Sequence, residues 1–137
     1  MSAASNYLEN AVLNHVLTAT AYTQPTTRFI GLFRNQSGNA AANLEAGTLT
    51  DEVSTSGSAY IRKAVTFAAA SGGTSATNAT VTFDAATANW GTITHVAVMD
   101  AVSGGNVLFW GAVTTPKTIE QGDTFQVSSG NLSVTLA

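Results

Sequence analysis

The alternation of apolar and polar positions is clearest between Ala79 and Val113. Val81 and Phe83 alternate with Thr80 and Thr82, the period-two pattern of a strand with one face on a core and the other in solvent. Thr92 to Met99 and Val107 to Val113 differ, because both alternating faces are apolar. Ile93, Ala97 and Met99 oppose Val96 and Val98, and Val107 and Phe109 oppose Leu108 and Trp110. Both faces of these strands must therefore be covered. Between them, Ser103-Gly104-Gly105-Asn106 supplies residues that accept positive φ, which predicts a hairpin.

Helical spacing occurs near the start, where Leu8, Val12, Leu13, Val16 and Leu17 form one stripe over Asn6 to Thr18. Ser5 or Asn6 can cap the first amides, and Glu9 places a negative charge near the positive helix end. A helix of about a dozen residues frays unless its stripe is packed, either on its own domain or on a neighbouring subunit. After a break at Thr23-Gln24-Pro25-Thr26, Arg28 to Phe33 reads as a short central strand. From 34 to 58 the chain turns small and polar and predicts a long loop, either a contact loop or a mobile excursion. Tyr60 to Phe67 resumes strand character, with Ile61, Val65 and Phe67 on one face and Tyr60, Arg62 and Thr66 on the other. Lys63 interrupts the apolar face and marks an edge strand. Thr118 to Glu120, Thr124 to Val127 and Asn131 to Leu136 close the chain as short strands separated by Gly-containing turns.

Seven or so turn-separated strands with no helices between them predict a mainly β fold: an antiparallel β-sandwich or jelly-roll-like domain with one N-terminal α-helix. The expected organisation is a single domain over residues 1–137, with an N-terminal arm and helix at 1–20 and a β body at 28–137 that carries the polar loop 34–58.

Charged residues make up only 9% of the chain, against roughly a quarter in an ordinary domain, and Thr, Ser, Asn, Ala and Gly replace them. Another protein can pack on such a surface with little loss of rotamer entropy and little ion desolvation. A component of an assembly fits this, and so does a secreted β domain with a neutral surface. The five cations, Arg28, Arg34, Arg62, Lys63 and Lys117, are scattered and the net charge is −3, so no nucleic-acid partner is expected. The absence of cysteine removes disulfides, thiolate metal sites and thiol nucleophiles. No apolar run approaches the ~18 to 20 residues that span a bilayer, and no basic start precedes Arg28, so no membrane partner is expected.

Candidate chemistry is sparse. His95 lies mid-strand with no carboxylate at a productive spacing, so a hydrogen-bonded structural role is expected. Asp100 is placed to open the following turn, and His15 is a helix boundary residue. Asp51 and Glu52, the one close acidic pair, point apart, and no nucleophile elbow, phosphate loop or His-x-x-x-His pair is present. No catalytic residue, cofactor or metal site is expected, and the chain reads as a non-enzyme. Trp90 and Trp110 suit either sugar stacking or packing, and packing is the simpler role. Candidate assembly contacts are Leu8, Val12 and Val16 on the helix and Leu44 and Leu49 in the loop. The aromatics Tyr60, Trp90 and Trp110 join them.

An ordered series of short motifs adds a further observation. Tyr7-Leu8-Glu9-Asn10, Tyr22-Thr23, Pro25-Thr26-Thr27, Phe29-Ile30-Gly31-Leu32-Phe33, Glu52-Val53, Gly57 with Tyr60 and Arg62, and Ala64-Val65-Thr66-Phe67 are followed by Trp90-Gly91-Thr92-Ile93-Thr94-His95. Asp100-Ala101, Gly104-Gly105-Asn106, Leu108-Phe109 with Gly111, Lys117-Thr118, Gly122-Asp123-Thr124-Phe125 and Leu132 to Leu136 complete it. The chain resembles, over nearly its whole length, a family of small tailed-bacteriophage virion proteins commonly labelled tail fibre proteins. The stretch from Arg34 to Gly57 is poor in the recurrent residues, and the linker from Glu52 to Tyr60 is longer and richer in Ser.

The resemblance implies a non-enzymatic structural protein on the exterior of the virion, made in the host bacterial cytoplasm. Its motifs are structural, so it implies no catalytic residue. A compact chain without a shaft suits a capsid decoration or cement protein that stabilises capsomers. The alternatives are a short tail-fibre or fibre-base protein and, in a third class, a carbohydrate-binding β module. The partners expected are the chain itself, as a homotrimer, and other virion proteins such as the major capsid protein, or tail proteins under the fibre alternative.

Overall fold

The computed structural model describes residues 3–136. Along the chain run β1 (Ala3–Ala4), α1 (Asn6–Leu17), β2 (Arg28–Phe33), α2 (Ala40–Ala46), β3 (Lys63–Val65), β4 (Thr74–Ala76), β5 (Val81–Thr82), β6 (Gly91–Met99), β7 (Val107–Ile119), β8 (Gln126–Val127) and β9 (Ser133–Thr135). The fold is mainly β and antiparallel, with two helices, and fits a β-sandwich. A five-stranded sheet has the order β1-β7-β6-β2-β3, and two ribbons pair β4 with β9 and β5 with β8.

The β6–β7 hairpin organises the sheet. Asp100 Oδ1 accepts the Asn106 amide at 2.7 Å, and Oδ2 accepts the Asn106 side-chain amide at 2.9 Å, so Asp100 does open the turn. Gly105 takes φ +70° there, and a Cβ on it would lie 2.5 Å from Asp100 Oδ1, which leaves room for glycine alone.

Both faces of the sheet are covered, as their apolar alternation requires. Ile30 and Leu32 of β2 pack with Val81, Phe83, Trp90, Ile93 and Phe125 beneath the β5–β8 ribbon. On the opposite face Phe33, Ala97, Met99 and Val107 pack against Leu44 of α2. Full burial of each such large side chain stabilises by about 1.5–3 kcal/mol. Trp90 is 1% exposed, donates its indole N–H to the Ser58 carbonyl at 2.8 Å and meets the rings of Tyr60 and Phe83 edge-on.

Three expectations are corrected. Residues 34–58 are not one long loop. Ala40–Ala46 forms α2, with Ala40 and Leu44 buried four residues apart and Gly47 closing the helix in the left-handed region. Its Ala-rich composition favours helix but gives too few large apolar side chains to show a stripe. Second, Tyr60 and Arg62 point inward and Ile61 is exposed, the reverse of the predicted faces, because the two polar side chains enter a buried network. Third, Ile93 does not share a face with Ala97 and Met99: a register shift between Ile93 and His95 turns Ile93 into the ribbon-side core.

The sheet edges are blunted. β3 is an edge strand as Lys63 suggests, and Lys63 Nζ reaches Asp84 at 3.0 Å. On the other side, among the described residues, β1 pairs with Phe109 and Trp110, and the distal part of β7 carries Pro116 and Lys117. Neither favours pairing with a stray strand.

Candidate functional site

At one end of the sheet the polar groups are held tightly to one another. Glu52 Oε2 accepts from Arg62 Nε at 2.6 Å and from the Tyr60 hydroxyl at 2.7 Å, and Oε1 accepts from Arg62 Nη2 at 2.8 Å. Arg62 Nη1 donates to the carbonyls of Ala101 and Gly104 at 2.7 and 2.8 Å, clipping the β6–β7 turn to the Glu52 segment. The Tyr60 hydroxyl in turn accepts the Leu32 amide at 3.0 Å. Burial, followed by the adjacent Glu52 charge, pushes the Tyr60 hydroxyl well above its ordinary pKa. Burial works against the Arg62 charge, but the bonds and charge of Glu52 outweigh it and raise its pKa. With Glu52 bound on both oxygens, the cluster has the chemistry of a clip, not of a base. Gly31 permits it, since a Cβ there would come 3.3 Å from Glu52 Oε2.

A second cluster fixes α2. The Asp51 carboxylate accepts the Ser37 amide at 2.9 Å, the Ser37 hydroxyl at 2.6 Å and the Asn43 side-chain amide at 3.2 Å. Burial opposes its charge, yet these bonds hold its carboxyl below the usual range. Trp110 donates its indole N–H to Glu45 at 2.7 Å. The His95 ring lies 6.3 Å from Trp110, with Nδ1 2.8 Å from the Thr94 hydroxyl, so His95 is hydrogen-bonded as expected. Burial lowers its pKa, with Asp51 opposing. Among the described residues no three His, Cys, Asp or Glu side chains are grouped to hold a metal ion. None of their helices is long and apolar enough to cross a membrane.

The N-terminal helix is anchored at one end only. Ser5 caps it, accepting the Leu8 amide at 3.3 Å, while its hydroxyl bonds the Val107 carbonyl and its amide donates to Leu108 at 2.9 Å. Leu8 is buried with Val98 and Leu108, and Val12 packs at the margin. Beyond that point the stripe leaves the body: Leu13, Val16 and Leu17 are 55, 69 and 73% exposed. His15 Nδ1 accepts the Tyr22 amide at 3.0 Å and ties the following segment back to the helix.

Beside this ridge lies an apolar trench. One cleft of about 660 Å³ is lined by Leu8, Val12, Leu13, Phe109 and Leu136, and Glu9 is its one charged lining residue. A second, of about 270 Å³, is lined by Phe67, Val98, Leu108, Phe109 and Val134, and its one charged lining residue is Arg28. The two meet at Phe109 and Leu136.

The candidate contacts thus divide. Leu8, Leu44, Tyr60 and Trp90 are buried in the chain's own core, Leu8 at the base of the larger cleft. Val12, Leu49 and Trp110 are half-buried, and Val16 projects fully. Trp90 is closed to a sugar, and the Trp110 indole N–H is already bonded to Glu45. Leu13, Leu17, Phe109, Leu136, Glu9 and Arg28 also lie on this surface, beyond the contacts expected from sequence. Leu13 and Leu17 were visible in the helical stripe, but nothing in the spacing told which side of it would remain uncovered.

The β-rich body thus turns the Glu52–Arg62 and Asp51 clusters inward and leaves Leu13, Val16 and Leu17 of α1 exposed. A family model, Podophage GP4 fiber I protein gp80, matches residues 3–135, and the chain belongs to that family. It is thereby a phage fibre-type virion protein. The match favours the fibre alternative over capsid decoration. No curated protein matches the chain.

Proposed function

We propose that the chain is a non-enzymatic subunit of a phage fibre, a short tail-fibre or fibre-base protein on the particle exterior that assembles with itself and with tail proteins. The observation that carries this is the fibre-family match over residues 3–135. The fold supports it: the Glu52–Arg62 and Asp51 clusters are engaged in holding loops, while Leu13, Val16 and Leu17 of α1 are exposed. A surface poor in charge costs little to desolvate when subunits pack.

Copy number in purified particles tests the assignment. A small multiple of the tail symmetry, with immunogold label on the tail or collar, supports a fibre role. Hundreds of copies spread over the head would restore capsid decoration.

A further inference from the structure

We infer that the cleft between α1 and the segment returning along it binds a neutral saccharide. The inference goes beyond the fibre assignment and does not depend on it. Tyr7, Asn10, Ala11 and Asn14 follow i, i+3, i+4, i+7 spacing and share one face of α1. Thr20 to Thr23 face them, and the two walls enclose about 410 Å³, within the ~300–1,000 Å³ usual for small-molecule sites. The returning wall is pinned along its length. The Thr18 hydroxyl donates to the Asn14 carbonyl at 2.7 Å and accepts the Thr20 amide at 3.2 Å, and His15 Nδ1 accepts the Tyr22 amide at 3.0 Å. The cleft is thus formed before a ligand arrives, which lowers the ordering cost of binding.

Its chemistry selects the ligand. The rings of Tyr7 and Tyr22 stand edge-on, 6.5 Å apart at 71°, and make an apolar corner. Elsewhere the side chains of Asn35, Asn43, Asn89 and Asn106 are spent on holding turns and loops. Among the described residues, by contrast, the side-chain amides of Asn10 and Asn14 and the hydroxyls of Tyr7 and Tyr22 form no hydrogen bond within the chain. An amide pairs a donor with an acceptor, as two adjacent hydroxyls of a sugar do, and the C–H face of a sugar ring packs on an aromatic. None of the residues lining the cleft is charged, so an anion meets no counter-charge in its walls. A wholly apolar ligand would strip water from the amides and hydroxyls without replacing their bonds. A neutral saccharide matches both parts of the lining.

Two-dimensional NMR of the purified full chain, titrated with the methyl glycosides of glucose, galactose, mannose, rhamnose and N-acetylglucosamine, tests this. At least one should bind, with shifts centred on Tyr7, Asn10, Asn14 and Tyr22. Asn10→Ala and Asn14→Ala should each weaken that binding about three- to tenfold, the loss of one hydrogen bond. Both should leave the fold intact, since the two side chains are exposed and Thr18 bonds the Asn14 backbone. Absence of shifts in the cleft with every one of these glycosides overturns the inference. So does binding unchanged by both asparagine substitutions, or galacturonate binding more tightly than every neutral glycoside.

Discussion

The clip around Glu52 and Arg62 and the ridge of α1 sit on the same charge-poor chain and solve opposite problems. In the clip, one carboxylate, one guanidinium and one phenol lie within 3 Å of their partners, and the guanidinium gathers two turn carbonyls. In the ridge, three large apolar side chains project from a helix that packs on the body through Leu8 and Val12. Buried polar groups are costly unless satisfied, so the clip has to be complete within the monomer. Exposed apolar groups are tolerated by the monomer and become useful when something covers them. The one region answers to the chain's own stability, and the other to its surroundings.

The sharpest way to break this contrast is Arg62→Met. It leaves the Glu52 carboxylate and two carbonyls without their donor, and should destabilise the chain by about 3–5 kcal/mol. Urea denaturation followed by tryptophan fluorescence measures the change, and a loss below about 1 kcal/mol would show that the clip is dispensable.

Gly105→Ala comes next. The added Cβ meets the Asp100 carboxylate at a position with φ +70°, so a loss of about 1–3 kcal/mol is expected. Unchanged thermal melting would mean that the turn relaxes freely.

Acid should act in two stages. His95 is held below its ordinary 6.5 by burial, so the unfolded chain takes up this proton first, and stability declines as the pH falls below that value until the folded ring also protonates. Asp51 is held below its ordinary 3.8, so its contribution is complete above that value and is lost as the pH falls through its folded value. His95→Gln should abolish the upper stage alone in a series of melts at stepped pH. A single acid transition unaffected by that substitution would refute the assignment.

The smallest effect belongs to the ridge. Val16→Ser and Leu17→Ser should change monomer stability by no more than about 0.5 kcal/mol, measured at a dilution where the chain does not associate. A larger loss would place these residues in the monomer's own stability, erasing the distinction from the clip.

Much of the framework was legible in the sequence. Short apolar runs bounded by turn signals located β2, β6 and β7, Gly104-Gly105 located the hairpin between β6 and β7, and Ser5 or Asn6 marked the start of α1. α2 escaped because two inward residues, Ala40 and Leu44, are too few to show a period. The inward turn of Tyr60 and Arg62 escaped because their partners, Glu52 and the carbonyls of Ala101 and Gly104, are brought together by folding and not by neighbouring positions. For the candidate surface, the helical stripe was readable but its uncovered side was not.

The sequence by itself determined local properties: where strands alternate, where the chain can turn, that charge is sparse, and the series of motifs that resembles phage fibre proteins. These depend on residue type and near spacing, which backbone sterics and side-chain periodicity translate directly into conformation. Only the tertiary structure decided which apolar residues are covered. Trp90 and Tyr60 went into the core, while Val16 and Leu17 were left outside it. Burial depends on what packs from distant parts of the chain, so an apolar side chain carries the same local signature whether it will stabilise the monomer or await a partner.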